Sequence, residues 1–171
     1  MWKYNGSERP PFAKEPGPGE ESVWDYPRPP KLVPFYGRVE VKWLDTIIAS
    51  TTEAFRILET ASPPSFYLPP AHTDLKLFRE ATGSSFCEWK GKATYWDIEI
   101  NGVSIENAAW SYNNPNPAYR SVKNYFSFYP SKTECYVEGV RVKPQPGGFY
   151  GGWMTPNIIG PVKGEPGTGA W

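Results

Sequence analysis

Polar and apolar residues alternate most cleanly over Lys92 to Ile100, where Thr94, Trp96, Ile98 and Ile100 fall on one face and Tyr95, Asp97 and Glu99 on the other. A period of two marks a strand. Asn101-Gly102 follows, and both residues tolerate the positive φ of a type I′ turn, so a hairpin is predicted with Ile100 opposite Val103 and Ile98 opposite Ile105. Its two sides agree on one apolar face. Glu134 to Lys143 repeats the pattern around Glu138-Gly139, with Cys135 opposite Val142 and Val137 opposite Val140.

Elsewhere the alternation is shorter. Val39, Val41 and Trp43 alternate with Arg38, Glu40 and Lys42 as a half-exposed antiparallel strand, which Leu44-Asp45 turns into Thr46 to Thr51. Glu53 to Thr60 fits a helix through Ala54, Ile57 and Leu58, but its brevity before Ser62-Pro63-Pro64 favours a strand. Ser65 to Leu68, Ala108 to Tyr112 and Tyr125 to Tyr129 read as further strands. Thr73 to Phe78 suits one helical turn capped by Thr73 or Asp74, and Ala118 to Asn124 a short helix. About nine or ten short strands are what two packed or splayed sheets require.

Composition sharpens this picture. Twenty prolines exclude long helices, and eight tryptophans supply large apolar surfaces. A chain of 171 residues is most simply one domain. Residues 1–22 read as a Pro/Gly-rich arm that Trp2, Tyr4 and Phe12 dock on the body, 23–143 as the β domain, and 144–171 as a Gly/Pro/aromatic arm packing on it. Between Glu21 and Pro30 the prolines predict an extended segment with Trp24, Tyr26 and Arg28 alternating on one side, and the body is expected to begin at Arg38.

Eighteen basic and eighteen acidic residues cancel, so no excess charge draws the chain to nucleic acid or a membrane surface. The N-terminus lacks the apolar run of a signal peptide, and no stretch is long and apolar enough to span a bilayer; a cytoplasmic location is expected. Two cysteines, Cys87 and Cys135, fit a reducing compartment, and with His72 as the single histidine they provide no zinc-ligand spacing. Neither a metal nor a cofactor is expected.

The candidate chemistry centres on Cys87 and Lys90. The thiolate is the reactive form of cysteine, and a cation within about 4–6 Å favours it, so this pair is the candidate catalytic group; its plain alternative is a small buried hydrophobe beside a solvated lysine. Cys135, among valines, reads as core. Arg56 and Glu59 are charges in an apolar segment, either paired with each other or turned into a polar pocket. With Arg28, Tyr67, Tyr95, Trp96, Trp110 and Tyr129 they make a candidate ligand-binding set, an aromatic lining with a cation suited to a flat or anionic small molecule. The same rings would also serve simply as the core of an aromatic-rich β protein.

Several runs resemble one family: ESVWDYPRPP from Glu21, LETASPP from Leu58, FCEWKGKATYW from Phe86, AAWSY from Ala108, FSFYP from Phe126 and QPGGFYGGW from Gln145. In this order they resemble the domain-of-unknown-function family 427, in a subgroup with the GGFYGGW extension. Where that family usually has proline after the cysteine, Glu88 stands here. The resemblance implies a mainly β, single-domain fold similar to the β-tent of methionine sulfoxide reductase B, two antiparallel sheets meeting at an angle. It implies no function. The nucleotidyltransferase label sometimes attached to the family has no counterpart in these residues, which include neither a phosphate loop nor paired carboxylates placed for magnesium.

Three readings follow. The first is binding of an unidentified polar or anionic small molecule in an aromatic-lined pocket. The second is a thiol enzyme, redox chemistry included, with Cys87 as nucleophile. The third is a scaffold whose aromatic arms clamp a partner or a second copy of the chain as a homo-oligomer.

Overall fold

The computed structural model describes all residues from Met1 to Trp171. The fold is mainly β, and its centre is an antiparallel sheet of four strands in the order Phe126–Phe128, Val103–Ser111, Gly91–Ile100, Phe78–Cys87. At the Asn101-Gly102 turn φ is 49° and 79°, and Ile100 pairs with Val103 and Ile98 with Ile105, as the alternation predicts. The register shifts once, between Trp96 and Ile98, where the Asp97 carboxylate accepts the Asn107 N–H at 2.8 Å. Pairing then resumes, so Ala108 to Ser111 continues the hairpin's second strand rather than starting another.

Gly91–Ile100 buries both of its faces, over different lengths. Trp96, Ile98 and Ile100 pack with Phe78, Phe126 and Phe128 in the larger core, whereas Ala93 and Tyr95 join Tyr67, Trp110 and Tyr112 in a second cluster. That division separates a purely apolar region from one rich in phenols.

A second sheet of four strands, ordered Val140–Arg141, Glu134–Val137, Val39–Trp43, Thr46–Thr51, contributes Val39, Val41, Ile48 and Cys135 to the larger core. The Glu138-Gly139 turn again takes positive φ, 50° and 79°, with Val137 opposite Val140. A third sheet orders Lys31–Phe35, Ala54–Leu58 and Ser65–Tyr67. Leu68 and Phe126 exchange backbone hydrogen bonds of 2.8 and 2.9 Å, tying this sheet to the first. Glu53 to Thr60 thus contains the strand that its brevity favours. The short elements are 3-10 turns: Leu75–Leu77 capped by Asp74, and Pro117–Val122 where a short helix is expected.

Two sequence expectations are corrected, and one strand is added. Phe78–Cys87 is a ten-residue edge strand that the pattern does not show, because most of its side chains are exposed on both faces and leave no alternation to read. Lys31–Phe35 places the start of the body before Arg38; it contains Pro34, and a proline is tolerated there because the strand lies at an edge. Trp24, Tyr26 and Arg28 do not alternate along an extended segment, since the Ser22 hydroxyl accepts the Trp24 N–H at 3.2 Å and caps a 3-10 turn over Val23–Asp25.

Both chain ends contact this framework. Trp24 is fully buried, its Nε1 donating to the Pro161 carbonyl at 3.0 Å, and its ring meets Tyr4, Phe12 and Trp171 at centroid distances of 5.2, 5.3 and 5.2 Å. Trp153 is fully buried in the larger core and donates to the Phe128 carbonyl at 2.9 Å. Glu21–Ser22 pairs in parallel with Ile158–Ile159, and Lys143–Pro144 antiparallel with Trp153–Met154. No helix is long and apolar enough to cross a membrane.

Candidate functional site

The phenol-rich side of the hairpin opens into a cavity of about 420 Å³. Its floor comes from the strand ends around the Cys87–Gly91 turn, where Gly91 has φ of 106° and Cys87 pairs with Gly91 across the turn. Tyr67 and Ile57 reach it from the third sheet, and Tyr95, Trp110 and Tyr112 from the hairpin. The terminal segments add Trp2 from one end of the chain and Gln145, Tyr150 and Lys163 from the other.

Two glycines bring the last wall close. A methyl group on Gly151 would collide with the Trp110 ring, and one on Gly152 with the Gln145 amide and Pro63, so the backbone here lies where no side chain fits. The Gln145 amide holds this wall from within, donating to the Lys163 carbonyl at 2.7 Å and accepting the Gly152 N–H at 3.0 Å. Its polar atoms are thereby occupied.

The aromatic groups are anchored rather than loose. Trp110 Nε1 donates to the Tyr67 hydroxyl at 3.2 Å, the Ser85 and Tyr95 hydroxyls meet at 2.8 Å, and Trp110 packs on Tyr129 with ring centroids 4.7 Å apart. Burial raises the Tyr67, Tyr112 and Tyr129 hydroxyls above the ordinary phenol value, so they stay protonated and can donate. Trp89 Nε1, on the same wall, is buried without an acceptor.

Lys90 supplies positive charge to this wall, its Nζ 5.8 Å from the centre of the Tyr112 ring. Burial works against its ammonium as the largest single influence, and Glu59 on the same wall opposes burial. Cys87, half-buried, lines the cavity beside it. Cys135 is fully buried, and burial pushes its thiol up to about 12.

Of the residues singled out from the sequence, Cys87, Lys90, Glu59, Tyr67, Tyr95, Trp110 and Tyr129 converge on this cavity. Arg28, Arg56 and Trp96 stand outside it. Arg28 lies behind the wall, donating from Nε to Glu59 at 3.3 Å and from its other nitrogens to the Tyr4 and Thr60 carbonyls at 2.7 and 3.1 Å. Arg56 pairs with Glu21 at 2.9 Å beside a smaller cleft, so Arg56 and Glu59 each have a partner and neither pairs with the other. Trp96 faces the larger core and donates to Ser111 at 2.9 Å. His72 lies elsewhere, its Nδ1 2.8 Å from the Thr51 hydroxyl.

Sequence reasoning missed Trp2, Trp89, Gln145 and Lys163 as cavity residues. The GGFYGGW run was a signal for the wall that Gln145 holds, since paired glycines between aromatics mark a backbone pressed against something large, but nothing in the sequence marked Trp2, Trp89 or Lys163 for the cavity. No curated protein matches the chain. The stretch that carries Glu59, Tyr67, Cys87 and Lys90 lies within residues 31–139, which match the model of the family described as Domain of unknown function (DUF427); with well over half its length so matched, the chain belongs to that family.

Proposed function

We propose that this protein binds a polar or anionic small molecule in the aromatic-walled cavity. The observation that carries the reading is Lys90, whose Nζ stands 5.8 Å from the centre of the Tyr112 ring on a cavity wall that also presents Tyr67, Tyr95, Trp110 and Tyr129. A volume of about 420 Å³ suits a compact ligand, rings favour a flat one, and buried donors such as Trp89 Nε1 favour one that carries acceptors. Trp2, Tyr4 and Trp171 pack against this chain's own body, which favours a pocket over a partner-clamping scaffold. The test is native mass spectrometry of freshly purified protein beside Lys90→Met. A retained mass that the variant loses supports the reading; no retained mass, together with no stabilisation by a panel of flat carboxylates, ends it.

A second reading, thiol chemistry at Cys87, is favoured by its place beside Lys90 on the same wall. It makes Cys87 the nucleophile and Lys90 the group that favours its thiolate. Alkylation of Cys87 in the folded protein, slowed in Lys90→Met, tests it.

A further inference from the structure

Lys163 lies beyond the stretch that the family model matches, and neither reading above uses it. The residue is 1% exposed, yet it lines the cavity. Its Nζ sits 3.8 Å from the centre of the Trp2 ring and 4.9 Å from that of Tyr150. The backbone is pinned on both sides: the Lys163 N–H donates to the Ala61 carbonyl at 2.7 Å, and the Lys163 carbonyl accepts from Gln145 at 2.7 Å. The acids nearest in effect, Glu59 and Glu88, are otherwise engaged, Glu59 with Arg28 and Glu88 with Trp2 Nε1. The amine thus faces aromatic rings where a buried lysine ordinarily meets a carboxylate.

A cation–π fastener for Trp2 would explain the rings, but not the choice of lysine. Arginine stacks on indole at least as well, and Arg28 already does so on the same Trp2 at 4.3 Å. What lysine has and arginine lacks is an amine that can lose its proton and attack carbon. Burial first, and then repulsion by Arg28, lower Lys163 to about 8 against the opposing pull of Glu59 and Glu88. Near neutral pH that leaves roughly three hundredfold more free amine than at an ordinary lysine.

We propose that Lys163 is a carbonyl-capturing amine that condenses with an aldehyde or α-keto acid held in the cavity. The Nζ lone pair attacks the carbonyl carbon, the nitrogen gives up a proton as the carbonyl oxygen takes one, and the carbinolamine then loses its hydroxyl together with the remaining N–H proton as water to leave an imine. No oxidant or reductant is needed. The aromatic walls take the flat body of the ligand and Lys90 an anionic end, the last point resting on the function proposed above.

The experiment is reductive trapping on the intact chain with benzaldehyde and, separately, phenylpyruvate, each with cyanoborohydride, followed by peptide mapping of every lysine. Hydride from cyanoborohydride reduces the imine to a stable secondary amine. The expected result is an adduct on Lys163 at least about tenfold above any other lysine, with both probes. Lys163→Arg, which keeps the charge and the ring contacts, loses it. Labelling spread over exposed lysines with no preference for Lys163 overturns the proposal, and the parent's profile alone decides this if the variant does not fold. Lys90→Met separates the two readings. If trapping by phenylpyruvate falls and that by benzaldehyde does not, both stand; if neither falls while Lys163 is still labelled, the anion reading fails and the amine survives.

Discussion

Arg28 reaches across to Glu59 at 3.3 Å while its remaining donors close on the Tyr4 and Thr60 carbonyls, so one guanidinium joins the N-terminal residues to the turn that follows the strand Ala54–Leu58. Its side chain is 3% exposed. A cation so deeply placed is tolerable only because every face of it is engaged, and the same completeness makes it expensive to remove.

Replacing Arg28 with Met strands Glu59 and two carbonyls together. The expected loss is about 3–5 kcal/mol of unfolding free energy, read from urea titration. Arg28→Lys recovers little of it, because an ammonium cannot reproduce the forked geometry. A loss below about 1 kcal/mol would mean that the arm and the body are not joined through this residue.

Gly151→Ala places a methyl group against the Trp110 ring. Either the ring or the arm must yield, and the expected cost is about 1–3 kcal/mol with a fall in the cavity's capacity for ligand. Thermal melts and the retained mass in native spectrometry check both effects. Gly148, with nothing near it, takes alanine without penalty and serves as the control.

Lys163 makes stability depend on pH in a definite direction. Its folded value, about 8, lies below the 10.5 of the free side chain, so between these values the unfolded chain binds more protons. Stability contributed at this site therefore increases from pH 8 to 10.5 and is lost as pH falls through 8. The parent should gain about 2–3 kcal/mol relative to Lys163→Met across that window. Arg28, Glu59, Glu88 and Tyr150 face the same amine, so the comparison is made against the single variant rather than from the parent's profile alone. Identical slopes in the two proteins would show that the lysine is not buried as a cation.

The two cysteines should differ sharply toward iodoacetamide. Cys87 lies half-buried on the cavity wall and Cys135 is fully enclosed with its thiol raised to about 12, so in the folded protein only Cys87 should be alkylated. Labelling of Cys135 should await unfolding. Equal rates at the two positions would contradict this arrangement of core and cavity.

Local pattern was enough to determine the two hairpins, because Asn101-Gly102 and Glu138-Gly139 set both turn and register within a few residues. It was also enough for the mainly β class. The edge strand Phe78–Cys87 was not legible, since a strand exposed on both faces has no periodicity to show. Nor was the pairing of charges: Arg56 and Glu59 sit three residues apart, but their partners, Glu21 and Arg28, are supplied by the folded segment preceding the sheet. The cavity itself belongs wholly to tertiary structure. Trp2 and Lys163 stand at opposite ends of the chain, and only packing of both ends over one sheet face brings an indole within 3.8 Å of a buried amine.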